Sequence, residues 1–325
     1  FTFGVDYRTN NQQQNLTNVF KIATGSVAAG TTDQANLNRV IRNSFIATTD
    51  LNFTHRGTLK DSFEFVTILG GQFFRSTDRQ TRVEGSGGVD GTKSISFFPS
   101  ISSSDFILEN ANYGIYFLEN IGFYDIAFLE FGGRLDYNTS AGENTDALFL
   151  PKIGATYNFS DHQFYKESGV SDIVNFVKFR ANYGVATNFA EPFSQDRTFA
   201  LESFLNAPAF RFNNPGNQNL VSEEVHTTEY GIELGFLNNR LRLGATRYKG
   251  ITKDALFTPT QPPSSGLLNQ VQNIGEIENS GWEFEFNSTI INNEEHNLSL
   301  SASYNTNENL VTSSGGAAPF NVGGF

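Results

Sequence analysis

The chain has 325 residues, with 33 Phe, 11 Tyr, 30 Gly, one Trp and no Cys or Met. Without Cys there is no disulfide framework, thiolate metal site or Cys nucleophile, although this does not assign a compartment. A net charge of -12, from 22 basic and 34 acidic residues, repels phosphate backbones and argues against nucleic acid as a partner.

No stretch approaches the roughly 18 to 20 consecutive apolar residues of a membrane helix, so any spanning falls to strands. The chain opens FTFGVDYR, already inside an alternating pattern and without a signal peptide or initiator Met. Residue 1 is therefore expected to be a cut through a longer protein.

From there the dominant signal has period two, which places successive side chains on opposite faces of a strand. Phe1, Phe3, Val5 and Tyr7 oppose Thr2, Gly4, Asp6 and Arg8. Val177, Phe179, Ala181 and Tyr183 oppose Lys178, Arg180 and Asn182, while Trp282, Phe284 and Phe286 oppose Glu283, Glu285 and Asn287. The spacing predicts eleven strands, near 1-8, 43-54, 62-75, 105-118, 124-138, 148-159, 174-187, 222-236, 240-257, 274-290 and 295-307. Linkers at 55-61, 119-123, 237-239 and 291-294 are short, and 160-173 is of medium length. Those at 9-42, 76-104, 188-221 and 258-273 are long, with a shorter one at 139-147. Polar runs such as TNNQQQNLTN and RVEGSGGVDGTKS are expected to be loops, and no internal domain boundary is visible.

Tight turns at one end and long loops at the other are the pattern of outer-membrane barrels. A soluble sandwich or solenoid also alternates, so periodicity alone leaves both open. Two features favour the barrel: aromatics crowd the ends of the apolar face, and charge lies deep within the polar face. The charges are Glu130, Arg134, Asp136, Lys152, Lys178, Arg180, Glu229, Glu233, Glu283 and Glu285. The expected fold class is all-β, an antiparallel transmembrane β-barrel. An odd strand count leaves two open edges, which lipid does not tolerate, so residues 1-325 are expected to be an arc of one larger barrel domain of about 22 strands, wide enough to need a plug.

Several segments resemble the SusC/RagA family of TonB-dependent outer-membrane transporters. They are GGRLDYNTSAG (132-142), FLPKIGATYNFSD (149-161), VKFRANYGVATN (177-188), NQNLVSEEVHTTEYGIELGFLNNRLRLGATRYKGITKDALF (217-257) and NIGEIENSGWEFEFNSTI (273-290). They occur in the family's order, whereas residues 1-105 are similar only in texture. The resemblance implies a 22-stranded barrel with an internal plug, in the outer membrane of a Gram-negative bacterium. It implies import of a large nutrient such as an oligosaccharide or peptide. Its implied partners are a SusD-like surface lipoprotein acting as a lid and the TonB, ExbB and ExbD machinery. The plug, TonB box and remaining strands are expected to lie outside these residues. Siderophore or cobalamin import without a lid, and a secreted β-sheet adhesin, are the alternatives.

No catalytic set, cofactor or metal site is expected. His55, His162, His226 and His296 lack metal-ligand spacing. GSGGVDG (85-91) has neither the preceding buried strand nor the following helix of a phosphate cradle, and is expected to be a flexible loop. Glu283 with Glu285, and Glu294 with Glu295, are expected as wall and turn charges rather than a glycosidase pair. Glu130, Arg134, Asp136, Lys178 and Arg180 are expected to face the lumen, paired across strands or touching plug or cargo. Loop 188-221 carries Phe189, Phe193, Phe199, Phe204, Phe210 and Phe212, which must bury themselves in the barrel mouth or under a partner. This loop is the candidate contact with substrate or lid, and packing of its own aromatics for stability is the alternative reading. Trp282 is expected to face lipid or anchor a girdle.

Overall fold

The computed structural model describes residues 1-17, 35-60, 62-141, 147-205, 207-261, 264 and 269-316. Eleven strands form one antiparallel sheet. In chain order they begin with β1 (Thr2–Leu16), β2 (Ala35–Leu59), β3 (Phe63–Gly88), β4 (Ser100–Phe123), β5 (Ala127–Asn138), β6 (Leu148–Asn158) and β7 (Val174–Asn188). A separate two-stranded hairpin follows, β8 (Thr198–Phe204) with β9 (Ala207–Asn214). The large sheet resumes with β10 (Glu223–Phe236), β11 (Leu241–Phe257), β12 (Gln272–Asn292) and β13 (Asn297–Ser313). Its order follows the chain, from β1 at one edge to β13 at the other, with β10 beside β7. The eleven expected strands are therefore the eleven found, but several boundaries move.

Two compact units are distinguished. The larger comprises residues 51-71 and 113-325. Its register places the charges on one face: Glu130 opposes Gly154, Lys178 opposes Glu233, Arg180 opposes Gly231, and Glu283 and Glu285 oppose Thr246 and Gly244. The other face is mostly apolar, with Arg247 on it lying 5.6 Å over the Trp282 ring. One row across it runs Phe179, Ile232, Ala245, Phe284, Tyr304, and the next runs Tyr230, Arg247, Trp282, Thr306. Its large side chains are not covered: Trp282 is 44% exposed, Tyr230 61% and Tyr304 65%. A soluble sandwich buries such a face under a second sheet, so this one is made for lipid.

Its short connections are tight. The expected linker at 119-123 is strand instead, because β4 runs to Phe123 and turns through Tyr124 and Asp125. Both of those residues have positive φ, at 52° and 57°, the conformation that a two-residue hairpin turn requires. Leu237, Asn238 and Asn239, with φ of 52° to 62°, do the same between β10 and β11. Between β6 and β7 lie a 3-10 turn, Phe159–Asp161, and one turn of α-helix, Gln163–Lys166. There Phe159 sits edge-on to Tyr165 with centroids 5.2 Å apart, and Tyr157 bonds His162.

The smaller unit comprises residues 1-50 and 72-112. Here β1 to β4 continue far past the expected ends: 9-16, 35-42, 76-88 and 100-104 are strand, not loop. Both faces of this stretch are wet. On one, Arg42 and Ser44 bond Asp78, and Arg82 bonds Asn38 and Glu84. On the other, Arg79 and Thr81 bond Asp105 at 3.0 and 2.9 Å, and Arg39 bonds Gln13 at 3.2 Å. The expected flexible glycine run also departs from expectation. Gly85 and Gly88 lie in β3, where a Cβ would meet the Phe98 ring at 2.6 and 2.5 Å, so the glycines make room for that ring. Phe98, Ala35 and Leu37 form the unit's buried apolar cluster, with Ile95 against it.

Guanidinium–carboxylate pairs recur along these strands, among them Arg42–Asp78, Arg79–Asp105 and Arg82–Glu84. Hydrogen bonds from Arg42 hold the Asp78 carboxyl below its ordinary range, and Arg79, then Thr81, do the same for Asp105.

Candidate functional site: a charged wall and an aromatic hairpin

The polar face of the larger unit carries a cross-strand charge network, arising because opposed residues on adjacent strands lie within side-chain reach. Lys152 Nζ meets Glu130 Oε1 at 2.5 Å. Glu233 receives both Lys178 Nζ and Arg180 Nη1 at 3.5 Å, and Arg180 Nη2 donates to Thr246 Oγ1 at 2.6 Å. Gly231, opposite Arg180, leaves room for this: a Cβ there would meet Arg180 Nε at 2.4 Å. Arg134 bonds Asp136 and lies 5.7 Å over the Tyr116 ring. Glu229, Glu283 and Glu285 are on the same face with no cationic partner in ion-pair range among the described residues. The wall therefore presents free carboxylates on β10 and β12 and neutralised charge on β5 to β7.

The six phenylalanines of loop 188-221 separate into distinct places. Strands β8 and β9 pair Phe199 with Phe212 and Leu201 with Phe210, so these four share one face of the hairpin. The rings of Phe199 and Phe212 meet tilted by 34° with centroids 5.0 Å apart, and Arg197 lies 5.6 Å over Phe212. Glu202 and Arg211 hold the opposite face together at 2.5 Å. The apolar face is open, with Leu201 68% and Phe210 76% exposed. Phe204 falls on the opposite face at the hairpin tip beside Leu205. Phe193 stands apart in a turn with φ of 65°, its carbonyl accepting from Asn214 Nδ2 at 3.2 Å. Phe189 lines a cavity of about 280 Å³ with Tyr137, Asn138, Leu148 and Val221.

The histidines serve locally. His55 packs on Phe65 at 5.5 Å, and His226 sits between Tyr183 OH at 2.9 Å and Glu224 at 3.1 Å. The backbone N–H of His296 donates to Asn293 Oδ1 in the turn that holds Glu294 and Glu295. Among the described residues no group of three acidic or His side chains converges as a metal site.

The family model described as TonB dependent receptor-like, beta-barrel matches residues 1-324. The chain belongs to the TonB-dependent receptor β-barrel family. Receptors of this family are outer-membrane transporters and not enzymes, and this one is accordingly an outer-membrane barrel chain. Among its relatives, TonB-dependent receptor P39 of Formosa agariphila is 30% identical over 200 residues, covering 59% of this chain and 18% of that protein. TonB-dependent receptor P26 of the same organism is 26% identical over 264 residues, covering 77% of this chain and 26% of that protein. TonB-dependent receptor SusC of Bacteroides thetaiotaomicron is 35% identical over 97 residues, covering 30% of this chain and 10% of that protein. The RagAB peptide transporter superposes with a TM-score of 0.82 at 18% identity, covering 96% of this chain and 34% of that one, a likeness of fold. The receptor chain thus spans about a fifth to a quarter of the first two of these curated relatives.

The strand register puts the wall charges on one face, and sequence parity misses an amide cluster in the loops, Gln195, Gln218, Asn219 and Gln270. The available signal was the density of Asn and Gln in NNPGNQN (213-219), which composition alone assigns to any loop.

Proposed function

We propose that this chain is part of the wall and rim of an active importer that takes up a large nutrient, an oligosaccharide or peptide, through the outer membrane. In this reading residues 1-325 are an arc of one barrel domain of about 22 strands, and its charged face lines the lumen. Energy comes from TonB, ExbB and ExbD, and a SusD-like lipoprotein closes over the long loops. The observation that carries the reading is the open aromatic face of the hairpin, Phe199, Leu201, Phe210 and Phe212, at the long-loop end of the sheet. Such a face on a water-exposed loop is a contact surface for a partner or cargo. Phe189, Phe193 and Phe204 extend that contact at the base and tip of the same loop. Similarity to SusC supports the lidded type over a siderophore receptor. Glu130, Arg134, Asp136, Lys178 and Arg180 shape the lumen wall, where water keeps paired charges inexpensive.

The test is to extract the full-length protein from outer membranes in detergent and identify the chains that come with it. A co-purifying lipoprotein that is lost on deleting 198-214 supports the reading. Isolation of the receptor alone, with unchanged uptake after the deletion, opposes it.

A further inference from the structure

The apolar face of β10 to β13 is not flat. Ala245 stands between Ile232 and Phe284 in one row, and in the next row Ala302 stands beside Phe286. Two small side chains among large ones leave a hollow of about 410 Å³, whose further sides are Leu234, Leu243 and Tyr304. This lies within the roughly 300 to 1,000 Å³ usual for small-molecule sites. Glu285 and Ser303, also at its border, have the opposite parity and point to the charged face.

A stack of rings forms one wall. Phe284 lies against Trp282 with centroids 5.8 Å apart and planes 8° apart, and Tyr304 continues the stack at 6.3 Å. Toward the long-loop end the hollow meets the row Tyr230, Arg247, Trp282, in which the Arg247 guanidinium covers the indole.

This arginine is out of keeping with the face that carries it. A cation on the lipid side of a barrel is costly at the midplane and tolerated near the interface, where its head reaches water or headgroups. Among the described residues no carboxylate lies in ion-pair range of Arg247. The next cation on the strand, Lys249, is held by Glu278 at 2.9 Å, and Glu308 lies one row further toward the loops, opposite Ser280. Neither the Tyr230 hydroxyl nor the Trp282 indole N–H has a hydrogen bond among the described residues. Three donors therefore stand in one row at the mouth of an apolar hollow, with no acceptor among the described residues.

We propose that the hollow and Arg247 together seat one phosphate-bearing lipid of the outer leaflet. Its acyl chain fills the space over Ala245 and Ala302, and its phosphate accepts from Arg247, with the Tyr230 hydroxyl and the Trp282 N–H on either side. A guanidinium binds phosphate through paired N–H bonds, and aromatic side chains with a polar tip belong at the headgroup level of a membrane. The polar row beyond Arg247, with Lys249, Ser280 and Glu308, marks the level at which the headgroup leaves lipid for water. The site opens toward the long loops, the extracellular end of such a barrel, so its lipid comes from the outer leaflet. A neutral lipid satisfies the hollow but not the cation, and a free anion satisfies the cation but not the hollow. The inference rests on the lipid face alone and is independent of cargo and lid.

The experiment is native mass spectrometry of the full-length receptor, delipidated in detergent and titrated with bisphosphorylated lipid A, with the same lipid dephosphorylated, and with phosphatidylglycerol. Lipid A binds as a discrete adduct that excess inorganic phosphate does not displace, and Arg247→Gln weakens it about tenfold by removing the charged donors. Ala302→Trp fills the hollow while leaving Arg247 in place, and an apolar ring is tolerated on a lipid face, so this variant keeps the fold and also weakens lipid A. Equal binding to wild type and Arg247→Gln overturns the phosphate seat, and equal binding to wild type and Ala302→Trp overturns the hollow. Equal binding of the dephosphorylated lipid overturns the role of charge, and tighter binding of phosphatidylglycerol overturns the outer-leaflet source. Displacement by inorganic phosphate reduces the site to one for a bare anion and overturns the lipid.

Discussion

Strands β10 to β13 and the far stretches of β2 to β4 are built from the same kind of ladder but face different solvents. In the first region, one face carries Phe284, Trp282 and Tyr304 and the other carries Glu283, Glu285 and Asn305. In the second, both faces carry charge, Arg42 with Asp78 on one and Arg79 with Asp105 on the other. Backbone hydrogen bonding sustains a strand in either setting, and β3 continues for 26 residues although its later part has no apolar face. Strand length therefore does not measure bilayer thickness; the length over which one face stays apolar does.

The largest expected effect tests the buried apolar cluster of the wet region. Phe98 is 5% exposed, and Phe98→Ala lowers the stability of that unit by about 3-5 kcal/mol, the usual cost of emptying a buried aromatic site. Hydrogen exchange of amides in 35-50 and 72-112 reads it, with those of β10 to β13 unaffected.

Next comes charge on the apolar face. Ala302→Arg costs about 2-4 kcal/mol in refolding into phospholipid vesicles, whereas Asn11→Arg in β1 changes stability by about 0.5 kcal/mol or less. Equal effects at the two sites would abolish the distinction between a lipid face and a wet one.

The difference also decided what was legible. The segments 174-187 and 222-236 were readable to within a residue or two because apolar and polar residues alternate cleanly. TNNQQQNL, 9-16, is strand but is polar at every position before Leu16, so it carries no period-two hydropathy signal. Tyr124 and Asp125 form a left-handed turn without Gly or Asn, whereas the nearby Gly122, a usual turn signal, lies within β4. The wall charges follow from parity alone. The amide cluster does not, because it depends on two segments tied together by Asn217 and Gln270, far apart in the chain.

A smaller effect belongs to the lumen wall. Glu233→Gln removes the partner of both Lys178 and Arg180, yet these groups are about one-third exposed, and the cost is about 1 kcal/mol or less in a urea titration. The smallest effect is acid sensitivity of the wet region. Arginine holds Asp78 and Asp105 below the ordinary carboxylate pKa, so their contribution is fully present above that value. It fades as pH falls through the lowered native values, below about pH 4. Exchange in 72-112 therefore accelerates in acid before that in β10 to β13, and Asp78→Asn together with Asp105→Asn flattens the dependence.

The most direct test of the two-solvent account uses the absence of Cys from these 325 residues. Single cysteines carrying nitroxide labels are placed along β12 and β13 at 282-286 and 300-304, and along β3 at 78-82, in the full-length protein reconstituted in lipid. Collision with oxygen and with a water-soluble nickel complex is then compared position by position. The account predicts alternation in β12 and β13, with oxygen favoured at 282, 284, 302 and 304 and nickel at 283, 285 and 303, and nickel favoured at every position from 78 to 82. Uniform accessibility along β12, or oxygen favoured at 79 and 81, would contradict it.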